Sequence, residues 1–249
     1  MPESEGEVRL NRFLAENGGV SRREADDIIF AGRVTVNGTV AETPAVRIDA
    51  TRDSVKVSGK RIWPQRKEYV LLNKPEGVIS SADDPQHRRT VVDLLHGVRA
   101  HVYPVGRLDV NTSGVMLLTN DGDLALKLTH PRFGFSKTYQ AKVQGQPSPR
   151  ALQKLATGVH IPTESGRMEV SLPAKVKIVK TFERNALLEI TVQEGRYHLV
   201  RSMCAAVGHP VIKLSRVKFG FLTAAGLPLG RWRYLTTDEV QRLKGEKAS

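Results

Sequence analysis

The sequence predicts an α+β protein: a small module of two helices and short strands, then a mixed, largely antiparallel sheet with flanking helices. Three observations support this class. Apolar residues recur first with helical spacing and then in short alternating runs. The polar stretch 64–67 contains a proline and reads as a linker. Beyond it, strands and helices lack the regular alternation of a parallel sheet. We therefore expect domains at 8–63 and 68–249, joined by a linker at 64–67.

The first module contains two helices and a hairpin. The apolar spacing within Leu10–Leu14 predicts one face of a helix. Ser21 and Glu24 form a capping box, in which each side chain can bond to the other's backbone amide, and this starts a second helix. Asn37-Gly38 between alternating residues predicts a tight hairpin, and a further strand is expected at 55–57.

The second segment mixes strands and helices. Apolar or alternating runs predict strands at 69–73, 115–119, 137–143 and 187–192. Caps and stop signals predict helices at 90–95, 123–129, 149–157 and 198–207, and a last helix that begins at Thr236.

Charge indicates the class of partner. The formal net charge is +12. Residues 1–66 carry 11 basic and 10 acidic side chains, whereas residues 67–249 carry 27 and 16. A protein with this excess of positive charge attracts polyanions, of which nucleic acid is the most common.

Composition excludes several classes of protein. A single cysteine, Cys204, rules out an internal disulfide and is expected to be a small buried hydrophobe. The seven histidines show no metal-binding spacing, and no apolar run is long enough to cross a membrane. The acidic residues 1–7 do not resemble a secretory signal. We expect a cytoplasmic protein without a membrane partner, with Trp63 and Trp232 in its core.

Basic residues in the first module form a candidate phosphate-binding surface. Arg9 and Arg12 share one helix face, Arg22 and Arg23 lie at the start of the second helix, and Arg33 precedes the hairpin. Arginines beside helix N-terminal amides suit phosphate. A solvated charged face would show the same periodicity, and spacing alone favours neither interpretation.

The loop Gly106–Gly114 precedes a predicted buried strand and carries Asp109. A carboxylate on a short loop at a strand end is well placed for catalysis. A plain turn, in which polar side chains bond to local amides, is an alternative. The loop also matches half of a calcium-binding loop, but Asn120 stands where a bidentate glutamate is required. A phosphate-binding P-loop would need a Gly-Lys-Ser/Thr sequence that is missing.

Three motifs of the first module, at 8–14, 21–25 and 32–38, resemble the S4 RNA-binding domain over residues 8–61. The resemblance implies binding of structured RNA through its shape and its phosphates. The residues it implicates are Arg9, Arg12, Ser21, Arg22, Arg23, Arg33 and Asn37.

The second segment resembles RNA pseudouridine synthases of the RsuA/RluB type, over roughly residues 8–243 when the S4-like module is included. The matching motifs lie at 73–77, 106–114, 117–124, 130–132, 137–139 and 194–203. The sequence Asp-Val-Asn-Thr-Ser-Gly and the spacing from His130 to Tyr139 are most similar to RluB-type enzymes, which act on large-subunit ribosomal RNA.

The resemblance implies a reaction and a set of roles. The N1–C1′ bond of a uridine is broken, the uracil turns, and a C5–C1′ bond forms, with no metal or cofactor. Asp109 matches the catalytic aspartate, Tyr139 the residue that stacks on the base, and Arg201 the basic partner of the aspartate. A cation ~4–6 Å away favours an ionised carboxylate. Arg107 could fill the gap that a flipped-out base leaves. Whether Asp109 attacks the sugar or acts as an acid and base stays open.

The sequence departs from the family pattern at Leu199 and Ser202, where glutamine and a basic residue are common. His198 could contact RNA or bond to polar groups of the protein. The resemblance implies that the partner is ribosomal RNA, free or in a pre-ribosomal particle, and we expect a monomer. The alternatives are an S4-containing ribosome-assembly factor without catalysis and, less well supported, an aminoacyl-tRNA synthetase, for which no nucleotide-binding motif is found.

Overall fold

The computed structural model describes residues 7–245. The acidic residues 1–6 and the last four residues of the predicted second domain, 246–249, lie outside this range. The chain forms two compact units. The first comprises residues up to Glu68 with the segments Gly97–Val102 and Thr119–Gly122, and the second comprises Tyr69–His96, Tyr103–Leu118 and the residues from Asp123 onward.

The first unit contains two helices and six short strands. The helices are α1 (Leu10–Asn17) and α2 (Arg22–Phe30). The strands are β1 (Glu7–Arg9), β2 (Val34–Val36), β3 (Thr39–Val40), β4 (Arg47–Asp49), β5 (Val55–Val57) and β6 (Lys60–Arg61). Strands β1 and β4 pair with each other, and the other four form a sheet in the order β3-β2-β5-β6.

The predicted signals of this unit are confirmed. Ser21 accepts a hydrogen bond from the Glu24 amide while the Glu24 carboxylate accepts one from the Ser21 amide, so the capping box is complete. Asn37 and Gly38 both have positive φ, at 52° and 90°, as a tight hairpin between right-twisted strands requires. The apolar helix faces and the strands enclose a small core that includes Leu10, Phe13, Leu14, Ala25 and Ile29.

The segment that follows β6 is held on this unit. The Gln65 amide and side chain donate hydrogen bonds of 2.7 and 2.9 Å to Asn17, and Lys67 pairs with Glu16. The expectation that Trp63 belongs to the core is wrong. Its side chain is 62% exposed, and the Arg61 guanidinium lies 3.8 Å from the centre of its ring. Stacking on a neighbouring cation stabilises this tryptophan at the surface.

The second unit is larger and richer in strands. Its helices are α3 (Gly122–Thr129), whose first residue the first unit contributes, α4 (Pro149–Thr157), α5 (Leu199–Ala206) and α6 (Thr237–Gly245). Its strands are β7 (Tyr69–Lys74), β8 (Tyr103–Pro104), β9 (Thr112–Thr119), β10 (Lys137–Gln144), β11 (His160–Pro162), β12 (Met168–Val170), β13 (Lys175–Thr181), β14 (Asn185–Val192), β15 (Val211–Phe219), β16 (Leu222–Thr223) and β17 (Trp232–Tyr234). Short 3₁₀ turns occur at Val92–Leu94, within the predicted helix 90–95, and at Pro131–Phe133.

Nine of these strands form one sheet, in the order β13-β14-β10-β15-β9-β7-β17, with β16 on β15 and β8 on β9. Strand β15 runs parallel to β9 and antiparallel to β10, and the pairs β10–β14, β13–β14 and β7–β17 are antiparallel. The prediction of a mixed, largely antiparallel sheet is therefore confirmed.

Helices cover parts of this sheet through their apolar faces. Leu155 of α4 and Met203 and Cys204 of α5 pack on buried residues of β10, β14 and β15. The expectation that Cys204 is a buried hydrophobe is confirmed, and burial raises the pKa of its thiol to about 12. Trp232 lies partly buried in β17, edge-on to Tyr234. Within residues 7–245, none of the helices combines the length and hydropathy needed to cross a membrane.

Candidate active site

The loop that carries Asp109 joins β8 to β9 and is braced by the segment after β7. The Gly77 amide donates a 2.8 Å hydrogen bond to the Val110 carbonyl. The Ser80 hydroxyl accepts from the Leu108 amide at 3.1 Å and donates to the Leu108 carbonyl at 2.6 Å. The backbone on both sides of Asp109 is thus fixed by a distant part of the chain.

A buried lysine binds the same loop through its backbone carbonyls. Lys74, at the end of β7, is fully buried, and its ammonium donates hydrogen bonds of 3.0–3.1 Å to the carbonyls of Pro75, Asp109 and Thr112. Burial lowers the pKa of Lys74 to about 8, and the negative charges of Asp109 and Glu76 oppose this shift. A buried charge is tolerated only when its polar partners are close, and here those partners are loop carbonyls.

Two basic side chains and a hydroxyl surround the Asp109 carboxylate. His198 Nε2 lies 3.4 Å from Oδ1, and Arg201 Nε lies 3.8 Å from Oδ2. The Thr112 hydroxyl lies 3.5 Å from Oδ2. The carboxylate itself stays 29% exposed, so a substrate can reach it.

The N-terminus of α5 positions both basic residues. His198 precedes the helix in the left-handed region, with φ of 49°, and the Tyr197 ring stacks on it at 3.8 Å. Arg201, in the first turn of α5, also donates a 2.7 Å hydrogen bond to the Asn111 carbonyl and a 3.3 Å bond to Thr112. Arg201 therefore binds the loop and its carboxylate together.

Asp109 lies at the wall of a cleft of about 310 Å³. Arg107, Tyr139, Lys137 and Arg216 also line this cleft. The sequence-predicted residues Asp109, Tyr139, Arg201 and Arg107 are thus grouped, since Arg201 contacts Asp109 from an adjoining depression. Arg107 is exposed, whereas Tyr139 is partly buried against the core.

Arg216 and Lys137 add positive charge to the cleft wall. Arg216 is 1% exposed, donates a 2.7 Å hydrogen bond to the Val115 carbonyl, and lies within hydrogen-bonding reach of the Tyr139 phenol. Its Nη2 has no hydrogen-bond partner among the described residues. Burial lowers the pKa of Arg216, and it lowers the pKa of Lys137 to about 8 with a further contribution from Arg216.

Glycine is required where β9 passes Arg216. Gly114 pairs with Arg216 across the parallel strands and has φ of 114°. A Cβ atom on Gly114 would lie 2.1 Å from the Arg216 carbonyl oxygen. This close approach explains the glycine that ends the Asp109 loop.

The predicted RNA-binding residues of the first unit fall into two groups. Arg9, Arg22, Arg23 and Arg33 are exposed, although Arg33 also bonds to Ser58. The other three make structural contacts within the unit: Arg12 pairs with Glu16 at 2.7 Å, Ser21 caps α2, and Asn37 bonds to Asp53 and to the Ser54 amide.

Sequence reasoning missed part of this site. Lys74 and Arg216 were not singled out, because lysine and arginine are normally surface residues. The sequence does not decide between RNA and protein contacts for His198, and in the structure His198 contacts Asp109. Leu199, one of the two departures from the family pattern, is 5% exposed and packs in the core, while Ser202 is partly buried.

Two segments of the chain match known protein families. An S4 domain matches residues 8–53, which makes the chain an S4-containing RNA-binding protein. The RNA pseudouridylate synthase family matches residues 68–206. The chain belongs to this family and is an RNA pseudouridine synthase, so a role in assembly without catalysis is not supported.

Relatives and a solved structure agree along nearly the whole chain. The ribosomal large subunit pseudouridine synthase B of Bacillus subtilis (strain 168) is 41% identical over 95% of this chain and 95% of its own length. The ribosomal small subunit pseudouridine synthase A of Escherichia coli (strain K12) is 34% identical over 94% of this chain and 98% of its own. A crystal structure of a pseudouridylate synthase aligns over 95% of this chain and 99% of its own, with a TM-score of 0.68 and 32% identity.

Proposed function

We propose that this enzyme converts a specific uridine of large-subunit ribosomal RNA to pseudouridine, with Asp109 as the catalytic residue. The observation that carries the proposal is the Asp109 carboxylate, held between His198 and Arg201 and open to a cleft that also contains Tyr139. The choice of the large subunit is supported by 41% identity to a large-subunit enzyme, against 34% to a small-subunit enzyme.

The cleft suits a flipped-out uridine. Tyr139 offers an aromatic face on which the uracil can stack, and Asp109 then faces the sugar. Arg107 is exposed at the mouth of the cleft and is free of the core, so it can occupy the space that the extruded base vacates. Arg201 acts as a positioning residue, because it binds the carboxylate and the loop at once.

The isomerisation breaks the N1–C1′ bond, forms a C5–C1′ bond, removes a proton from C5 and leaves a proton on N1. Negative charge develops on the uracil when it leaves C1′. Lys137 and Arg216 place positive charge at the wall of the same cleft, where little water screens it. Fixed charges of this kind stabilise a transition state more than the ground state. The reaction is an isomerisation without net oxidation or reduction, and we propose that it needs neither metal nor cofactor.

The N-terminal module would bring the enzyme to its RNA. We assign it to residues 8–63, followed by the linker 64–67 and the catalytic domain 68–249. Its exposed arginines, Arg9, Arg22, Arg23 and Arg33, suit phosphate contacts, and Arg12, Ser21 and Asn37 support that surface. We further propose that the enzyme acts in the cytoplasm as a monomer, on free ribosomal RNA or on a pre-ribosomal particle.

Two experiments test this function. Pseudouridine mapped in ribosomal RNA from cells with and without this gene should reveal one site, in the large subunit, that depends on the gene. In single-turnover reactions on ribosomal RNA, Asp109→Asn should form no product, because this variant removes the charge, the nucleophile and the base together.

A matched control is available in the same cleft. Glu164 is an exposed carboxylate on its wall, and Glu164→Gln should retain activity. Because asparagine is nearly isosteric with aspartate and the ion pairs of Asp109 are partly open to solvent, Asp109→Asn should melt close to the wild type and bind RNA normally. Turnover by Asp109→Asn at a rate near the wild type would reject Asp109 as the catalytic residue.

A further inference from the structure

One face of the large sheet carries an array of lysines on the side that points away from Tyr139 and the cleft. Strands β13, β14, β10 and β15 lie side by side, and paired residues place their side chains on the same face. We call this face, formed by three cross-strand rows, the lysine face. The rows are Lys175–Thr191–Thr138–Lys218, Lys177–Glu189–Gln140–Ser215 and Lys180–Leu187–Lys142–Lys213.

The lysine face is strongly positive. Its three rows contain six lysines and a single acidic residue, Glu189, which pairs with Lys177 at 2.8 Å. Five lysines therefore have no acidic partner within the rows. The exposed ring of Phe182, in the turn between β13 and β14, adds an aromatic surface 5.4 Å from the Lys142 ammonium and 5.2 Å from that of Lys180.

The opposite face of the same strands belongs to the core and the active site. Side chains alternate along β10, so Tyr139 and Ala141 point away from Thr138, Gln140 and Lys142. Helices α4 and α5 pack on the Ala141 side. The lysine face therefore cannot take part in the reaction at Asp109.

Edge protection explains only part of this array. Lysines on an edge strand prevent pairing with other chains, and β13 is an edge strand that carries three of the six. Lys142, Lys213 and Lys218 lie on β10 and β15, which have neighbours on both sides. Interior strands need no such protection, so another cause is required for these three.

We propose that the lysine face binds the phosphate backbone of an RNA segment distinct from the one that enters the cleft. Strand spacing and rise make the face about 14 Å in each direction, enough to meet several phosphates. Lysines act as mobile point charges, which suits contacts that position RNA without reading its sequence. The proposal goes beyond the proposed function, because it requires only that the enzyme binds RNA.

The test compares two double variants of the full-length protein with equal loss of charge. Lys213→Gln with Lys218→Gln alters the lysine face, and Arg150→Gln with Lys154→Gln alters the exposed side of α4, on the other side of the sheet. Binding to isolated ribosomal RNA and to an RNA duplex of arbitrary sequence is measured from 50 to 200 mM salt. Melting temperatures confirm that both variants fold.

We expect the lysine-face variant to bind both RNAs more weakly and with a salt slope shallower by about 1.4–1.8, the loss of two phosphate contacts. Its single-turnover rate at saturating RNA should equal that of the wild type, and the α4 variant should keep the wild-type slope. Equal slopes for all three proteins, or an equal change in both variants, would overturn the proposal. So would unchanged RNA binding combined with lost binding to vesicles of anionic lipid.

Discussion

Replacement of Lys74 by methionine tests whether a buried ammonium holds the catalytic loop. Methionine keeps the apolar length of the side chain but removes the three hydrogen bonds to the carbonyls of Pro75, Asp109 and Thr112. We expect Lys74→Met to reduce the single-turnover rate by about ten- to a hundredfold, the cost of misplacing reacting groups by about 1 Å. RNA affinity should change little, because Lys74 does not reach the surface.

The stability change has two opposing parts. The pKa of Lys74 falls from 10.5 to about 8 in the folded protein. Protonating this lysine is therefore about 3 kcal/mol less favourable in the folded state than in the unfolded state. Methionine removes this cost but also removes one hydrogen bond from each of the three carbonyls. The Asp109 carbonyl still accepts a 3.0 Å hydrogen bond from the Thr112 amide, so at most two carbonyls are left unpaired, at roughly 1–3 kcal/mol each. Two unpaired carbonyls cost at most about 6 kcal/mol against the ~3 kcal/mol that is gained, so near pH 7 we expect the free energy of unfolding to lie within about 3 kcal/mol of the wild type.

The pH dependence of stability separates the cost of the buried charge from the loss of hydrogen bonds. Between pH 8 and pH 10.5 the unfolded state binds more protons at Lys74 than the folded state does, so this residue makes stability rise with pH. Below pH 8 both states are protonated and the cost is constant. Wild-type stability minus that of Lys74→Met should therefore increase by about 3 kcal/mol across this window. The similar shift of Lys137 is present in both proteins and cancels.

Denaturant unfolding at several pH values and single-turnover assays provide the measurements. Lys154→Met, on the exposed side of α4, is the control and should show neither a slower reaction nor a pH-dependent difference. A stability difference that stays flat from pH 7 to 10.5 would refute the assignment of a buried ammonium. Wild-type turnover by Lys74→Met would refute its role in positioning the loop.

Three further predictions concern the same site. Gly114→Ala should lower the free energy of unfolding by about 3 kcal/mol or fail to fold, because its Cβ would meet the Arg216 backbone. Gly106→Ala should lower it by only about 1 kcal/mol, because the nearest atom to its Cβ would be 3.7 Å away. Thermal melting compares the two variants. Tyr139→Phe should slow single turnover by about tenfold, because stacking on the ring remains and only the hydroxyl near Arg216 is lost. A loss of activity as complete as that of Asp109→Asn would contradict this prediction. Activity should survive exhaustive treatment with EDTA, and a loss that zinc or calcium restores, with the RNA fold intact, would disprove metal-free catalysis.

Local signals predicted much of the fold. Each helix from α1 to α6 was expected near its observed bounds, because caps, glycine stops and apolar stripes act within a few residues. The strands β7, β9, β10 and β14 were recognised for the same reason, as apolar or alternating runs.

Strand β15 was missed although it joins the two halves of the sheet. Its sequence places Lys213, Arg216 and Lys218 among apolar residues, and a buried arginine breaks the alternation that marks a strand. Arg216 can be buried because the Val115 carbonyl and the Tyr139 phenol lie on other strands. Partners so far away in the chain cannot be read from a local pattern.

The candidate site likewise has a part that the local sequence predicts and a part that depends on distant residues. The Asp109 loop was found from its own residues, since a carboxylate and two glycines before an apolar run are visible locally. The supports of that loop, Lys74 and Ser80, come from a segment about thirty residues earlier and contact it only through backbone carbonyls and amides. Side-chain identity gives no sign of such contacts.

Not every cation of the chain can contact RNA. In the second unit, Lys74 and Arg216 are buried and bind backbone carbonyls, so neither can release counterions from RNA. Arg201 is engaged with Asp109 and Asn111. The cations available to phosphates include those of the cleft mouth, the lysine face and the exposed arginines of the first unit. Removing the charge of Lys74 should consequently leave the salt slope of the whole enzyme unchanged, and a shallower slope for Lys74→Met would mean that this buried ammonium contacts RNA.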